Sequence, residues 1–386
     1  MTGSVVDLGS SRRAVPAEQT LARARGSFER VGITRLADIT GLDRIGIPVW
    51  LALRPNGRAL SGGQGKGVTD AAAQASAVME TIETWHAERL PRGDVASFSA
   101  LGRARALDPT TLDPGPDIAG WDPTQQLAWL TGTDLLGGAE TFVARQALDL
   151  DLTDLTAPRF VAGTTNGLAS GNDRDEATVH GLYELVERDA ERRWRQLPSA
   201  RRARTVIAED ELAIDHPLVA ELLDQVRAAD CHVAVLNCTG PTAIATYRCV
   251  ITDRIREFRP LACSGVGAHG VARVALLRAI TEAAQTRATL IAGSRDDRYP
   301  SLYASSFLRV GRDGSSAPPP PGCSFTDGVD EVAAPCPAKE VESILARLVD
   351  LGTRRVIAVD LTRPELGLPV VRVAAERFLL PGPYGR

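Results

Sequence analysis

The sequence predicts an α+β protein in which mixed sheets carry three similar glutamate-bearing helices. Three observations lead there. Short apolar or β-branched runs alternate with longer helical runs along most of the 386 residues, the pattern of sheets with packed helices rather than of a helical bundle. Three of the helical runs repeat one spacing of chemical side chains, and each of the three follows a glycine-rich polar stretch. With 44% hydrophobic residues the chain has the apolar material for a large core. A single domain over residues 1–386 is expected, made of an N-terminal segment (1–60), a central core (61–300), a proline-rich loop (301–338) and a C-terminal helix with strands (339–386).

The elements follow in order. "PAEQTLARARGSFERVG" reads as a helix beginning near Pro16, because proline suits a first helical turn. "GITRLADITGLDRIGIPVWLALRP" breaks into short apolar pieces punctuated by Gly and Pro, which suits turns and strands. Beyond the long central helices, the helical "HPLVAELLDQVRAA" gives way to strand-like "CHVAVLNC", "AIATYRCVI" and "FRPLACSGVG". A loop from about Arg298 to Ala338 contains "SSAPPPPG", whose prolines exclude a helix interior or central strand and predict an exposed extended spacer. "AKEVESILARLVDLG" then reads as a helix, and "RRVIAVDL" and "LPVVRVAA" as strands.

Composition narrows the function. The 44 basic and 48 acidic residues nearly balance at a net charge of −4, which argues against a nucleic-acid partner or a polybasic membrane surface. No run of about eighteen apolar residues occurs, and the first twenty residues lack a signal peptide's basic start and apolar stretch, so a cytoplasmic protein with no membrane partner is expected. The six cysteines form no Cys-x-x-Cys pair, and reduced thiols are expected rather than zinc or disulfides. The five histidines show no ligand spacing. Lysine occurs only as Lys66 and Lys339, which singles out Lys66 inside its glycine-rich stretch.

In "AAQASAVMETIETW", Ala73 is followed by Ser76, Glu80 and Glu83; in "EATVHGLYELVERD", Ala177 is followed by His180, Glu184 and Glu187; in "VALLRAITEAAQTR", Ala275 is followed by Arg278, Glu282 and Gln285. On an α-helix, offsets of three, four and three keep all four positions within a stripe of roughly 80°. Taken alone, each glutamate stripe suits a solvated face paired with arginines such as Arg188 or Arg89. Its repetition on helices that are apolar over most of their girth points elsewhere. Gathered anions out of water cost several kcal/mol each unless compensated, and glutamates from three helices, counting Glu176 as well, call for divalent cations. Hard oxygen ligands suit Mg²⁺, which binds carboxylates together with substrate phosphates. The preceding "SGGQGKGVTD", "GTTNGLASGNDRDE" and "CSGVGAHG" let backbone amides and helix N-termini approach a phosphate, although none matches a Walker motif. The residues therefore point to a nucleoside triphosphate held through Mg²⁺ by glutamates of three helices.

"GITRLADITGLDRIGIPV", "GQGKGVTDAAAQASAVMETIE", "TNGLASGNDRDEATVHGLYELVERDA" and "ALLRAITEAAQTR" resemble, in order and over nearly the whole chain, signatures of the YcaO family of ATP-dependent enzymes that modify peptide backbones. The resemblance implies the YcaO fold, ATP and Mg²⁺ as cofactors, and Glu80, Glu83, Glu176, Glu184, Glu187 and Glu282 as the magnesium group. It makes Lys66, Ser76, Arg188 and Arg278 nucleotide or phosphate contacts. Arg13 and Thr20 fit the family's basic residue followed seven positions later by a hydroxyl. The implied reaction is O-phosphorylation of a backbone amide in a ribosomally made precursor peptide, giving a thioamide, an azoline or an amidine. Two departures stand out: the chain ends "LLPGPYGR", with Gly385 where azoline-forming members carry a third proline, and Glu83 is followed by Thr84 where the family has arginine. No leader-peptide-binding module is recognisable, so a TfuA-like or leader-recognition partner is expected, and a homodimer is carried as one arrangement. A non-catalytic ATP-binding scaffold is the alternative function.

Overall fold

The structure is a computed structural model describing residues 6–7, 9–153, 158–214, 216–254, 262–293, 320–332 and 334–376. A short ribbon of β1 (Val6–Asp7) and β2 (Arg12–Arg13) opens the chain. After Pro16 come α1 (Ala17–Arg25) and a short α2 (Phe28–Val31). Strands β3 (Arg35–Asp38), β4 (Val49–Leu53) and β5 (Gly62–Lys66) form an antiparallel sheet, from which α3 (Asp70–Ala87) departs. There follow β6 (Asp94–Ser97), α4 (Phe98–Leu101), β7 (Gln126–Asp134), β8 (Glu140–Ala144), β9 (Leu168–Ser170) and α5 (Arg174–Gln196). Three short helices, α6 (Ser199–Ala203), α7 (Glu209–Ala213) and α8 (Pro217–Ala228), lead to a second antiparallel sheet of β10 (Cys231–Asn237), β11 (Thr246–Asp253) and β12 (Ala262–Ala268). Helix α9 (Ala272–Ala292) leaves β12, and α10 (Pro337–Asp350), β13 (Val356–Asp360) and β14 (Val370–Ala375) complete the described chain. The largest sheet runs β6, β7, β13, β14, β9, with β8 on β7, so residues more than 220 positions apart are paired within it.

The mixed α+β architecture matches the sequence expectation, and the predicted strands of residues 33–53, 231–268 and 355–375 are present. Two readings change. The stretch from Asp94 to Ala144 lies within what the sequence suggested was a helix-and-loop core, yet it supplies three strands of the largest sheet. The proline-rich loop is also not wholly an exposed spacer. Residues 294–319, with two of its four prolines, lie outside the described residues, as does the C-terminal "FLLPGPYGR". Beyond them Phe325 is buried and stacks on Tyr247 at 4.9 Å between ring centroids, and Glu331 Oε1 accepts from the first amide of α9 at 3.0 Å. A buried aromatic and a carboxylate capping a helix anchor this segment.

Each of the three repeated helices is the centre of its own apolar cluster: α3 with the first sheet, α9 with β10 to β12, and α5 with α10, β13 and β14. The glycine-rich stretches before α3 and α9 are strands, and their glycines face the helix rather than a ligand. A Cβ on Gly65 would lie 1.9 Å from the Ala73 carbonyl oxygen and 2.2 Å from the Ala77 amide nitrogen; one on Gly265 would lie 2.3 Å from the Ala283 nitrogen. The corresponding helix positions, Ala73, Ala77, Ala279 and Ala283, are small and fully buried. Strand glycine against helix alanine brings two backbones into direct contact, which is the common reason for glycine inside a strand.

Gly65→Ala is therefore expected to lower the thermal midpoint strongly, at the upper end of the roughly 1–3 kcal/mol of overpacking, because the obstacle is backbone. Gly120→Ala, where nothing lies within 4 Å, leaves the midpoint near wild type. Equal midpoints for the two variants, measured by calorimetry, contradict this packing.

Candidate nucleotide and metal site

A cavity of about 1220 Å³ lies between α3, α5 and α9. All twelve residues singled out from the sequence line it: Arg13, Thr20, Lys66, Ser76, Glu80, Glu83, Glu176, Glu184, Glu187, Arg188, Arg278 and Glu282. His180 and Gln285, the other polar members of the stripes, line it too, whereas the leading Ala73, Ala177 and Ala275 do not. The helix face set by the three-four-three spacing is thus an inner wall and not a solvated surface.

The carboxylates are held chiefly by main-chain N–H groups of the strands. Within each copy the strand, or the turn leading into it, serves the first stripe glutamate: the Gln64 amide donates to Glu80 at 3.0 Å, that of Gly167 in the turn before β9 to Glu184 at 3.1 Å, and that of Val266 to Glu282 at 3.5 Å. The second stripe glutamate is served by the next copy. Ser170 donates to Glu83 through its amide (2.8 Å) and its hydroxyl (2.6 Å), and the Ala268 amide donates to Glu187 at 3.2 Å. The third copy returns to the first, where Lys66 Nζ donates to Glu282 at 2.7 Å and Thr289 donates to the Gln64 side chain at 2.7 Å. Copies one, two and three are linked in a ring around the cavity.

Charge is unevenly distributed in this ring. Burial pushes the Glu83 carboxyl up to about 8, with neighbouring Glu80 adding to the effect and the Ser170 bonds opposing it. Burial also raises Glu184 and Glu187, against the pull of Arg188. Glu282 is held below its usual range: burial opposes its charge, but Lys66 beside it prevails. The Arg188 guanidinium lies 3.6 Å from Glu187 and 3.9 Å from Glu184, and these anions outweigh burial to keep it firmly charged. Arg278 is 3.9 Å from Glu187, and its buried Nε has no hydrogen-bond partner. An unpaired buried donor costs about 1–3 kcal/mol, and here it marks a place for an acceptor.

At the other end the N-terminal segment closes on α5. Arg13 pairs with Glu176 at 3.2 Å, the Ala14 amide donates to the same carboxylate at 2.9 Å, and Asn172 Nδ2 reaches it at 3.2 Å. Thr20 Oγ1 donates to Asn172 Oδ1 at 3.0 Å. Arg13 also lies against the His180 ring at 2.5 Å, and burial with this cation holds the imidazole neutral. Sequence reasoning missed Asn172 and Ser170, which sit one turn or more ahead of the stripe; their position in the glycine-rich stretch before Glu176 was the available signal. Thr84, where an arginine was expected, bonds back to the Glu80 and Thr81 carbonyls of its own helix.

Among the described residues no three His, Cys, Asp or Glu side chains form a ready-made metal shell. Main-chain amides, Lys66 and Arg188 also partner the gathered anions. A hard-oxygen set of this openness still fits Mg²⁺, which keeps several waters and takes one or two carboxylates with substrate phosphates instead of a closed protein cage.

The family model described as YcaO cyclodehydratase, ATP- and Mg²⁺-binding, matches residues 64–378. An uncharacterized protein of Methanothermobacter thermautotrophicus is 36% identical over 94% of this chain and 93% of its own length. An uncharacterized protein from the tfuA 3′ region of Rhizobium leguminosarum bv. trifolii is 35% identical over 94% of this chain and 87% of its own. Among solved structures, the YcaO protein of Methanopyrus kandleri bound with AMPPCP and Mg²⁺ superposes with a TM-score of 0.70 at 25% identity, covering 97% of this chain and 94% of that one. A heterocyclase in complex with substrate and cofactor superposes at 0.78 with 20% identity; this chain covers 52% of that one, about half its length. The chain belongs to the YcaO family, whose cofactors are ATP and Mg²⁺. Among the described residues no helix is long and apolar enough to cross a membrane.

Among its protonated carboxyl bands in the infrared, the ligand-free protein should show a component that titrates near pH 8 and is missing from Glu83→Gln. Ser170→Ala removes a hydroxyl that favours the charged form, so the titration moves higher. A band already lost by pH 6 contradicts the assignment.

Proposed function

We propose that this chain uses Mg²⁺-ATP to activate a backbone amide of a ribosomally made precursor peptide. The observation that carries the reading is the ring of carboxylates and basic side chains in one cavity, with Glu80, Glu83, Glu184, Glu187, Arg278 and Glu282 at positions the repeated stripe marks. When bound, Mg²⁺-ATP supplies the phosphoryl group that converts the amide oxygen into a leaving group.

The chain's own residues hold and orient the reactants. Glu80, Glu83, Glu184, Glu187 and Glu282, with Glu176 at the Arg13 end, form the magnesium group. Lys66, Arg188 and Arg278 offset phosphate charge, and the unpaired Arg278 Nε meets an anionic oxygen. Ser76, Arg13 and Thr20 contact the nucleotide. Positioning and charge stabilisation of this kind are most of what a protein contributes to phosphoryl transfer. Burial, with Arg13 and Arg278 adding to it, keeps the His180 imidazole uncharged, so it adds no further positive charge of its own.

Sulfide as the nucleophile, giving a thioamide with a TfuA-like partner, is placed first among the outcomes. One observation supports this order: the 35% identical relative from a tfuA region. An azoline from a Cys, Ser or Thr side chain comes second and an amidine third.

Glu187→Gln is expected to fold normally, to bind Mg²⁺-AMPPCP at least about tenfold more weakly (about 1.4 kcal/mol), and to lose peptide-dependent ADP release. Calorimetric titration and a coupled ADP assay measure the two. Normal turnover of this variant contradicts the metal role. Mass spectrometry of a co-expressed precursor then assigns the product: oxygen replaced by sulfur for a thioamide, loss of one water for a ring. An unmodified precursor, with ADP release indifferent to it, indicates a nucleotide-binding scaffold instead.

A further inference from the structure

The cavity is longer than its carboxylate centre. Along α5 the lining continues from Glu187 to Glu191 and Arg195, and along α9 from Glu282 to Gln285, Thr286 and Thr289. These steps of one, three or four residues keep to one side of each helix, so the inner wall runs about two turns past the glutamates. At 1.5 Å per residue, the eight-residue step from Glu187 to Arg195 covers about 12 Å. Arg248 of β11 and Ser264 of β12 close this arm. A cavity for one drug-sized ligand falls at roughly 300–1,000 Å³; at about 1220 Å³ this one has room for a second occupant beside a nucleotide.

The chemistry of the arm differs from that of the centre. Glu191 accepts from Arg248 and, at 2.7 Å, from Arg195, and the Arg188 guanidinium lies 3.9 Å away, so three guanidiniums surround its one carboxylate. Arg248 also donates to Ser264 Oγ at 2.6 Å, and Thr286 donates to the Ser264 carbonyl at 3.1 Å. These contacts tie α5, α9, β11 and β12 together and fix the arm's width. The groups around the fixed charges, Ser264, Gln285 and Thr286, are neutral and have both donor and acceptor capacity. Such a lining does not suit a wholly apolar ligand, and its guanidiniums already donate to Glu191 and Ser264. It suits peptide backbone, which alternates one N–H and one C=O per residue and advances about 3.3–3.6 Å per residue when extended. About 12 Å then holds three or four residues.

The geometry points to a peptide-binding arm: Glu191, Arg195, Arg248, Ser264, Gln285 and Thr286 take three or four extended residues of the substrate, with the reacting amide at the glutamate end. This rests on the nucleotide reading given above, which fills the other part of the cavity. Arg248 is a positioning residue, acting through Glu191 and Ser264.

Thiol labelling separates the two parts. Thr286→Cys and Ser76→Cys are made singly in the full chain, and the modification rate at each introduced thiol is followed by site-resolved mass spectrometry. The probes are Mg²⁺-AMPPCP and the capped pentapeptides acetyl-Gly-Gly-Xaa-Gly-Gly-amide, with Xaa Gly, Ser or Thr. Mg²⁺-AMPPCP is expected to protect Ser76→Cys and leave Thr286→Cys reactive. Adding the pentapeptides at saturation slows Thr286→Cys by about fivefold or more, since protection follows 1 + [L]/Kd. Arg248→Met in the Thr286→Cys background abolishes the peptide protection and keeps nucleotide protection in the Ser76→Cys background; should that variant fail to fold, the single-cysteine rates still decide. Failure of Mg²⁺-AMPPCP to protect Ser76→Cys overturns the nucleotide reading. Protection there with none by peptide at Thr286→Cys overturns the peptide arm alone, and so does protection of Thr286→Cys by nucleotide without peptide.

Discussion

Buried carboxylates held by main-chain N–H groups are the constraint on which the rest of the structure depends. A cavity walled by five glutamates is costly when its anions are left unpaired in a low-dielectric interior. Here a main-chain amide, of a strand or for Glu184 of the turn before β9, reaches each of Glu80, Glu83, Glu184, Glu187 and Glu282. For that reach, the strand has to lie almost against the helix. Gly65 and Gly265 permit it, opposite alanines that leave the helix surface flat. The strand glycines therefore act on the anions at one remove, through backbone packing, and the close approach that serves the fold also serves the site.

The ring of cross-copy contacts makes the three strand–helix units interdependent. Glu83 of the first copy is held by the second copy's Ser170, and Glu187 of the second by the third copy's Ala268. The third copy has Gln285 where the others have a second glutamate, and its link back to the first is made by Lys66 and by Thr289 with Gln64. The same divergence gives the cavity a direction. At the stripe position one turn before the first glutamate, the copies present Ser76, His180 and Arg278, so the third copy adds a guanidinium on its stripe while the first two supply most of the acid. A site in which Lys66, Arg188 and Arg278 lie among the carboxylates suits a metal-bound polyphosphate, whose own charge both kinds of group share.

Much of this was legible in the residues. A spacing of three, four and three, found three times, located the inner wall of the cavity, because helical periodicity is local and survives any rearrangement of the rest of the fold. What the glycines do was not legible. Glycine permits both close ligand approach and close backbone packing, and "SGGQGKGVT" alone does not say which; the partner atoms of Gly65 come from the helix that follows. The compensation of the anions was hidden for a similar reason, since a main-chain amide carries no sequence signal and Gln64, Gly167 and Val266 act through theirs. Pairing of β7 with β13 joins residues more than 200 positions apart, a relation that no local pattern encodes. Phe325 and Glu331 were assigned to an exposed spacer on the strength of four nearby prolines, although the buried face of that segment depends on Tyr247 and α9.

The central claim is that the three helices jointly bind a divalent cation with nucleotide at their shared glutamate face. Its most direct measurement is an anomalous difference map from a crystal of this chain grown with AMPPCP and Mn²⁺ in place of Mg²⁺. The account predicts anomalous density among the carboxylates of α3, α5 and α9, with the triphosphate toward Lys66, Arg188 and Arg278. Density for metal and nucleotide anywhere else on the chain, with these carboxylates bonded only to their strand amides, would contradict it.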